Sequence, residues 1–90
     1  MNHAAVQFTV LSRSYCHLCD DMIAALQVLQ GRFVDGFVIT VVDIDQHPEI
    51  EAIWGDKVPV LLDADVEICH YFLDVDRLAL HMEKRAGKRD

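Results

Sequence analysis

The sequence predicts an α/β domain of order β-α-β-α-β-β-α, with a four-stranded mixed sheet flanked by helices on both faces. Apolar runs of strand length recur at residues 6–11, 37–42, 58–62 and 66–69, and the stretches between the first three carry apolar residues at helical spacing. Only Asp63-Ala64-Asp65 separates the last two runs, which leaves room for a hairpin and for no helix. Ninety residues, 52% of them hydrophobic, suffice for one such domain with a packed core and no disulfide staples. The expected domain spans residues 1–90, with an ordered core over about 6–83 and a basic tail at 84–90.

In chain order, Val6-Gln7-Phe8-Thr9-Val10-Leu11 forms the first strand and Arg13-Ser14-Tyr15 the loop after it. The first helix opens at Cys16-His17-Leu18-Cys19 and ends near Gly31, a good residue for a left-handed C-terminal position. Met22, Ile23, Leu26 and Leu29 mark its inner face. Phe37-Val38-Ile39-Thr40-Val41-Val42 forms the second strand, closed by Asp43-Ile44-Asp45. Its near-continuous apolar character suits burial on both faces, in a parallel pair reached by a right-handed crossover. Pro48 suits the first turn of a short helix with Ile50, Ile53 and Trp54 inward and Gly55 as the stop. Val58-Pro59-Val60-Leu61-Leu62 and Val66-Glu67-Ile68-Cys69 are the antiparallel third and fourth strands. Asp74 can cap the last helix, on which Val75, Leu78, Ala79 and Met82 share one face.

Charge and cysteine usage narrow the function classes. The net charge is −7, and the basic residues before position 84 are Arg13, Arg32, Lys57 and Arg77 alone. An acidic body is a poor footprint for nucleic acid, which rewards a basic face. The tail Lys84-Arg85-Ala86-Gly87-Lys88-Arg89-Asp90 reads as a frayed, solubilising end. Met1-Asn2-His3-Ala4-Ala5 has neither the basic region nor the apolar stretch of a secretory signal, and no run is long enough to span a bilayer. Three cysteines, an odd number, argue against a disulfide framework, so a reducing compartment, the cytoplasm, is expected.

Cys16 and Cys19, spaced i and i+3 at a helix start, lie close enough for a disulfide or a shared metal. A C-x-x-C at the junction of a strand and a helix points to thiol–disulfide chemistry. The thiolate is the attacking species, and Cys16 sits where unpaired N–H groups and the positive end of the helix dipole favour an anion. Arg13 adds positive charge if it folds back over the site, and His17 can hydrogen-bond the sulfur; Asp20 and Asp21 oppose the thiolate. Cys19, one turn on, should be more buried and stay protonated. A structural zinc needs four ligands, and the chain holds one C-x-x-C. Cys69 reads as strand core, Trp54 as helix core, Asp43 and Asp45 as turn and cap residues, and His3, His47 and His81 as surface or helix-end histidines with no partner motif.

Three features together resemble a small glutaredoxin-like member of the thioredoxin superfamily. They are Arg13-Ser14-Tyr15-Cys16-His17-Leu18-Cys19 between strand and helix, the acidic strand end Val42-Asp43-Ile44-Asp45 leading to Pro48, and Val58-Pro59 opening the third strand. The resemblance covers roughly residues 6–83 and implies a cis-proline at Pro59 opposite the cysteines. It implies a thiol–disulfide oxidoreductase with Cys16 as nucleophile, Cys19 as resolving cysteine, Val58 and Pro59 as the substrate-docking edge, and Arg13, Tyr15 and His17 as flanking contacts. The implied partners are protein disulfides or glutathione mixed disulfides, with glutathione as co-substrate or a thioredoxin-type reductase as electron donor. No bound cofactor or metal, no nucleic acid and no membrane is implied, and a monomer is expected.

The chain also departs from that pattern. His17 stands where glutaredoxins usually carry proline, and Ile68-Cys69-His70-Tyr71-Phe72-Leu73-Asp74 lacks the glycine pair that usually follows their fourth strand. Larger side chains there hinder close approach of a peptide backbone such as that of glutathione. Two other readings stay open: an iron–sulfur or metal carrier using Cys16 across a dimer, and a non-catalytic interaction module of the same fold.

Overall fold

The computed structural model describes residues 6–33 and 36–87, so His3 and the end of the basic tail lie outside it. The elements are β1 (Val6–Ser12), α1 (His17–Gln30), β2 (Phe37–Asp43), a 3-10 turn (Ile44–Gln46), α2 (Pro48–Trp54), a second 3-10 turn (Gly55–Lys57), β3 (Val60–Asp63), β4 (Val66–His70) and α3 (Val75–Gly87). The sheet order is β2-β1-β3-β4, with β1 parallel to β2 and antiparallel to β3, and β3 antiparallel to β4. This is the expected α/β fold with a mixed four-stranded sheet.

Alternation along the two central strands sorts the core into two layers. Phe8 and Val10 of β1 and Leu61 of β3 face α1 and α3, where Met22, Leu26, Leu29 and Leu78 close over them. Leu11, Val60 and Leu62 face the other way, toward Ile44 and the half-buried Ile50 and Trp54 of α2. Phe8 meets Phe37 edge-to-face with ring centroids 5.1 Å apart, which ties β2 to the larger layer. Each fully buried Phe or Leu here contributes roughly 2 kcal/mol from area alone.

Several local expectations need correction. β2 is an edge strand, so Val38 and Val41 stay 43% and 49% exposed; burial on both faces belongs to β1 and β3 instead. Ile53 is 71% exposed because the seven-residue α2 packs through Ile50 and Trp54 alone. Gly31 ends α1 with a right-handed φ of −83°, and the left-handed backbone falls at Gly36, φ +62°, where the chain turns into β2. Val58 and Pro59 precede β3 rather than belonging to it.

Asp74 does cap α3, its Oδ1 accepting from the Arg77 N–H at 3.0 Å, but Val75 is exposed and the inward face is Leu78 with Met82. The basic tail is not frayed at its start. Lys84 and Arg85 lie in the last turn of α3, and Arg85 pairs with Asp63 at 2.7 Å. His81 joins them, its Nε2 2.7 Å from Asp63 Oδ2, and so ties the hairpin to α3 instead of standing free on the surface. No helix among the described residues is long and apolar enough to cross a membrane.

Candidate functional site

Strand register assembles the site. Leu11 pairs with Val60, Ser12 with Asp43, and Val60 with His70, so the same end of the sheet carries the β1–α1 loop, the Asp43 turn, Val58-Pro59 and Tyr71. Across that end, in sheet order, stand Asp45, then Cys16 with its loop, then Val58-Pro59, then Tyr71 and Phe72. Residues far apart in sequence meet because β1 and β2 end here while β3 begins here and β4 ends here.

Cys16 is the N-cap of α1, with extended backbone (φ −115°, ψ 106°), and its Sγ accepts a hydrogen bond from the Cys19 N–H at 3.1 Å. The two sulfurs form a disulfide with Cα atoms 5.2 Å apart, a spacing inside the ordinary range for such a bond. Cys19 is 0% exposed and packed in the fold, whereas Cys16 is half-buried. The pair is therefore asymmetric: one cysteine is partly open to solvent and the other is not. On reduction, charge on Cys16 is met by the unpaired N–H groups and dipole of α1, with exposed Asp20 and Asp21 working against it.

The neighbours fall into place around this pair. Pro59 is buried behind a cis Val58–Pro59 bond, and half-buried Val58 is extended at φ −65°, ψ 142°. Tyr15 has left-handed φ +58° and is fully exposed, and His17 is exposed in the first turn of α1. Arg13 is the departure. Its guanidinium is committed to Asp45 Oδ1 (3.3 Å), Glu51 Oε2 (3.5 Å) and the Gly55 carbonyl (3.1 Å), so it braces the loop against α2 rather than folding back over Cys16. Asp43 is the turn residue expected, its Oδ1 accepting from the Asp45 N–H at 2.9 Å.

Tyr71 is the site residue that reading the sequence misses. Its N–H donates to the Pro59 carbonyl at 2.8 Å and its hydroxyl to the Asp56 carbonyl at 2.8 Å, with φ +66°. The signal is absent because a bulge between Leu61 and Leu62 shifts the β3–β4 register by one residue. Cys69 is core, as expected, and burial pushes its thiol up from the usual cysteine range, against a smaller lowering by a hydrogen bond from the Asp74 backbone.

A half-buried cysteine paired to a fully buried one at a helix N-terminus, beside a cis-proline on a mixed sheet, defines a thioredoxin-fold protein with a redox-capable cysteine pair. The family model of the glutaredoxin-like domain (DUF836) matches residues 7–83, and the chain belongs to this family. It is similar to a protein from Nitrosomonas europaea solved by solution NMR, at 39% identity, covering 90% of this chain and 98% of that one with a TM-score of 0.76. A protein from X. campestris solved by X-ray diffraction is 31% identical over 86% of this chain and 96% of that one, with a TM-score of 0.66. Thioredoxin 1 from the thermophilic eubacterium Thermosipho africanus is 19% identical over 89% and 98%, TM-score 0.58, a likeness of fold alone. A comparison with curated proteins finds no match.

Proposed function

We propose that the chain is a dithiol–disulfide oxidoreductase acting in a reducing compartment. The Cys16 thiolate attacks one sulfur of a substrate disulfide; that S–S bond breaks, a mixed disulfide forms on Cys16, and the leaving thiolate takes up a proton. Cys19 then loses its proton and attacks the Cys16 sulfur, releasing the second substrate thiol and closing the Cys16–Cys19 disulfide. Two electrons pass to the substrate, and an external thiol donor, glutathione or a thioredoxin-type reductase, returns them.

The carrying observation is the asymmetry of the pair, with Cys16 half-buried at the helix N-terminus and Cys19 fully buried one turn on. In this reading Val58 and Pro59 form the docking edge, Tyr15 and His17 flank it, and Arg13 holds the loop in place through Asp45, Glu51 and Gly55. A coupled reduction assay offering glutathione and a thioredoxin-type reductase separately tests the proposal. Turnover with at least one donor, abolished in Cys16→Ser, is expected. No turnover with either, or full activity in Cys16→Ser, overturns it.

A further inference from the structure

Exposed apolar side chains gather at the end of the sheet that carries Cys16. Tyr15, Leu18, Tyr71 and Phe72 are all exposed there. The register places Tyr15 and Leu18 on the β1–α1 side of Val58-Pro59, and Tyr71 and Phe72 on the β4–α3 side. Single exposed apolar side chains are ordinary, but a cluster flanking a reactive group marks a contact surface.

Two backbone features give that surface a shape. The β1–β3 ladder stops at Leu11 and Val60, so Val58 lies beyond it in extended conformation, ready to pair with an added extended segment. Tyr71 sits at φ +66°, where an aromatic residue is strained, and two hydrogen bonds at 2.8 Å, to Pro59 and Asp56, hold it there. Its ring is thus a fixed wall. Beyond it a cavity of about 480 Å³ opens at the start of α3, lined by Phe72, Leu73, Asp74, Asp76 and Arg77 among others.

Charge selects among extended segments. Asp20, Asp21, Asp56, Asp74 and Asp76 are exposed around this surface. The cations nearby are largely engaged: Arg13 with Asp45 and Glu51, and Lys57 with its ammonium 5.6 Å from the Trp54 ring centroid. Arg77, exposed and lining the cavity, is outnumbered there by Asp74 and Asp76. A field of this sign repels a net anion such as glutathione and attracts a basic chain.

We propose that this edge docks an extended protein segment whose apolar side chains are flanked by lysine or arginine, with Tyr71 as its specificity-determining wall. The inference rests on the thiol–disulfide reading and names its substrate class.

Titration of the full isotope-labelled chain, followed by NMR, with two cysteine-free peptides tests it. Both carry the same leucine and phenylalanine, one flanked by lysine and arginine and the other by glutamate. The basic peptide is expected to shift the amides of Tyr15, Leu18, Val58, Tyr71 and Phe72, and to bind about tenfold tighter than the acidic one. That margin shrinks as salt is raised. Tyr71→Gly, which the left-handed backbone accepts, and Phe72→Ser are each expected to weaken the basic peptide about fivefold. Equal affinities, or shifts confined to β2 around Val38 and Val41, overturn it. Peptide binding needs no electron transfer. Selective binding by a chain that reduces no disulfide keeps the surface and overturns the redox reading; turnover without selective binding does the reverse.

Discussion

The backbone N–H of Cys19 donates to the Sγ of Cys16 at 3.1 Å, so the half-exposed cysteine also caps α1. A sulfur here does the work that a serine or aspartate oxygen does at other helix starts. Removing the sulfur should therefore have two separable effects. Under reducing conditions Cys16→Ser is expected to keep the cap and unfold near the wild-type midpoint in urea. Cys16→Ala is expected to be less stable than Cys16→Ser by about 1 kcal/mol, the usual value of an N-cap side chain. Identical midpoints for the two variants would show that the sulfur plays no capping part.

Burial separates the three thiols of the reduced chain. Cys19 is 0% exposed, and Cys69 is 5% exposed with its thiol pushed up by burial. Brief treatment of the native reduced protein with iodoacetamide near neutral pH should modify Cys16 alone, as read by peptide mass mapping. Cys19 and Cys69 should react only after denaturation, since thiolate fraction and access both limit alkylation. Labelling of Cys69 at a rate comparable with Cys16 would contradict this.

The raised Cys69 thiol also sets a direction for stability against pH. A folded-state value above the unfolded one, about 8.5, means that the folded chain holds this proton while the unfolded chain releases it. The contribution is fully present below the unfolded value and is lost as pH climbs toward the folded one. With the Cys16–Cys19 disulfide closed, Cys69 is the titrating thiol, and the slope it adds is at most about 1.4 kcal/mol per pH unit. Cys69→Val, apolar and unable to ionise, should lose less stability than the wild type between mildly and strongly alkaline buffer. Parallel curves for the two proteins would refute it.

Asp63 closes the β3–β4 hairpin onto α3. Its Oδ2 lies 2.7 Å from both His81 Nε2 and Arg85 Nη1, and its side chain is 14% exposed. Asp63→Ala removes both contacts; Arg85 is 47% exposed and stays hydrated, so the loss falls mainly on His81 and should cost about 1 kcal/mol in chemical denaturation. A double-mutant cycle between Asp63→Ala and His81→Ala should give a coupling of about 1 kcal/mol, as expected for residues sharing one network. A coupling near zero would mean that the two side chains act independently.

Element order and the cysteine pair were legible because they rest on short-range patterns: apolar runs, helical spacing, and Cys16 and Cys19 one turn apart. What depends on register was not. Counting back from the two-residue turn at Ala64-Asp65 pairs Val60 with Cys69, but the bulge pairs it with His70 and brings Tyr71 onto Pro59. Strand order was equally hidden, so the apolar β2 read as buried on both faces although β1 and β3 hold the middle of the sheet. The partners of Arg13 and His81 were hidden for a related reason. Asp45, Glu51 and Asp63 lie on other elements, and charge pairs between elements leave no periodic trace in a sequence.

The hairpin turn carries a local conflict that a single substitution should relieve. Ala64 has φ +56°, whereas Asp65 is not among the residues with positive φ. Among two-residue hairpin turns, type II′ asks a positive φ of its first central residue alone and favours glycine there. A non-glycine residue in the left-handed region is strained by about 1–2 kcal/mol. Glycine removes that strain but frees the unfolded chain, which takes back about 0.5–1 kcal/mol. Ala64 is exposed, so no packing is lost. The balance favours Ala64→Gly by about 0.5 kcal/mol, equivalent in a domain of this size to a rise of about 2–4 °C in Tm. A fall in Tm would mean that the unfolded-state term outweighs the strain at this turn.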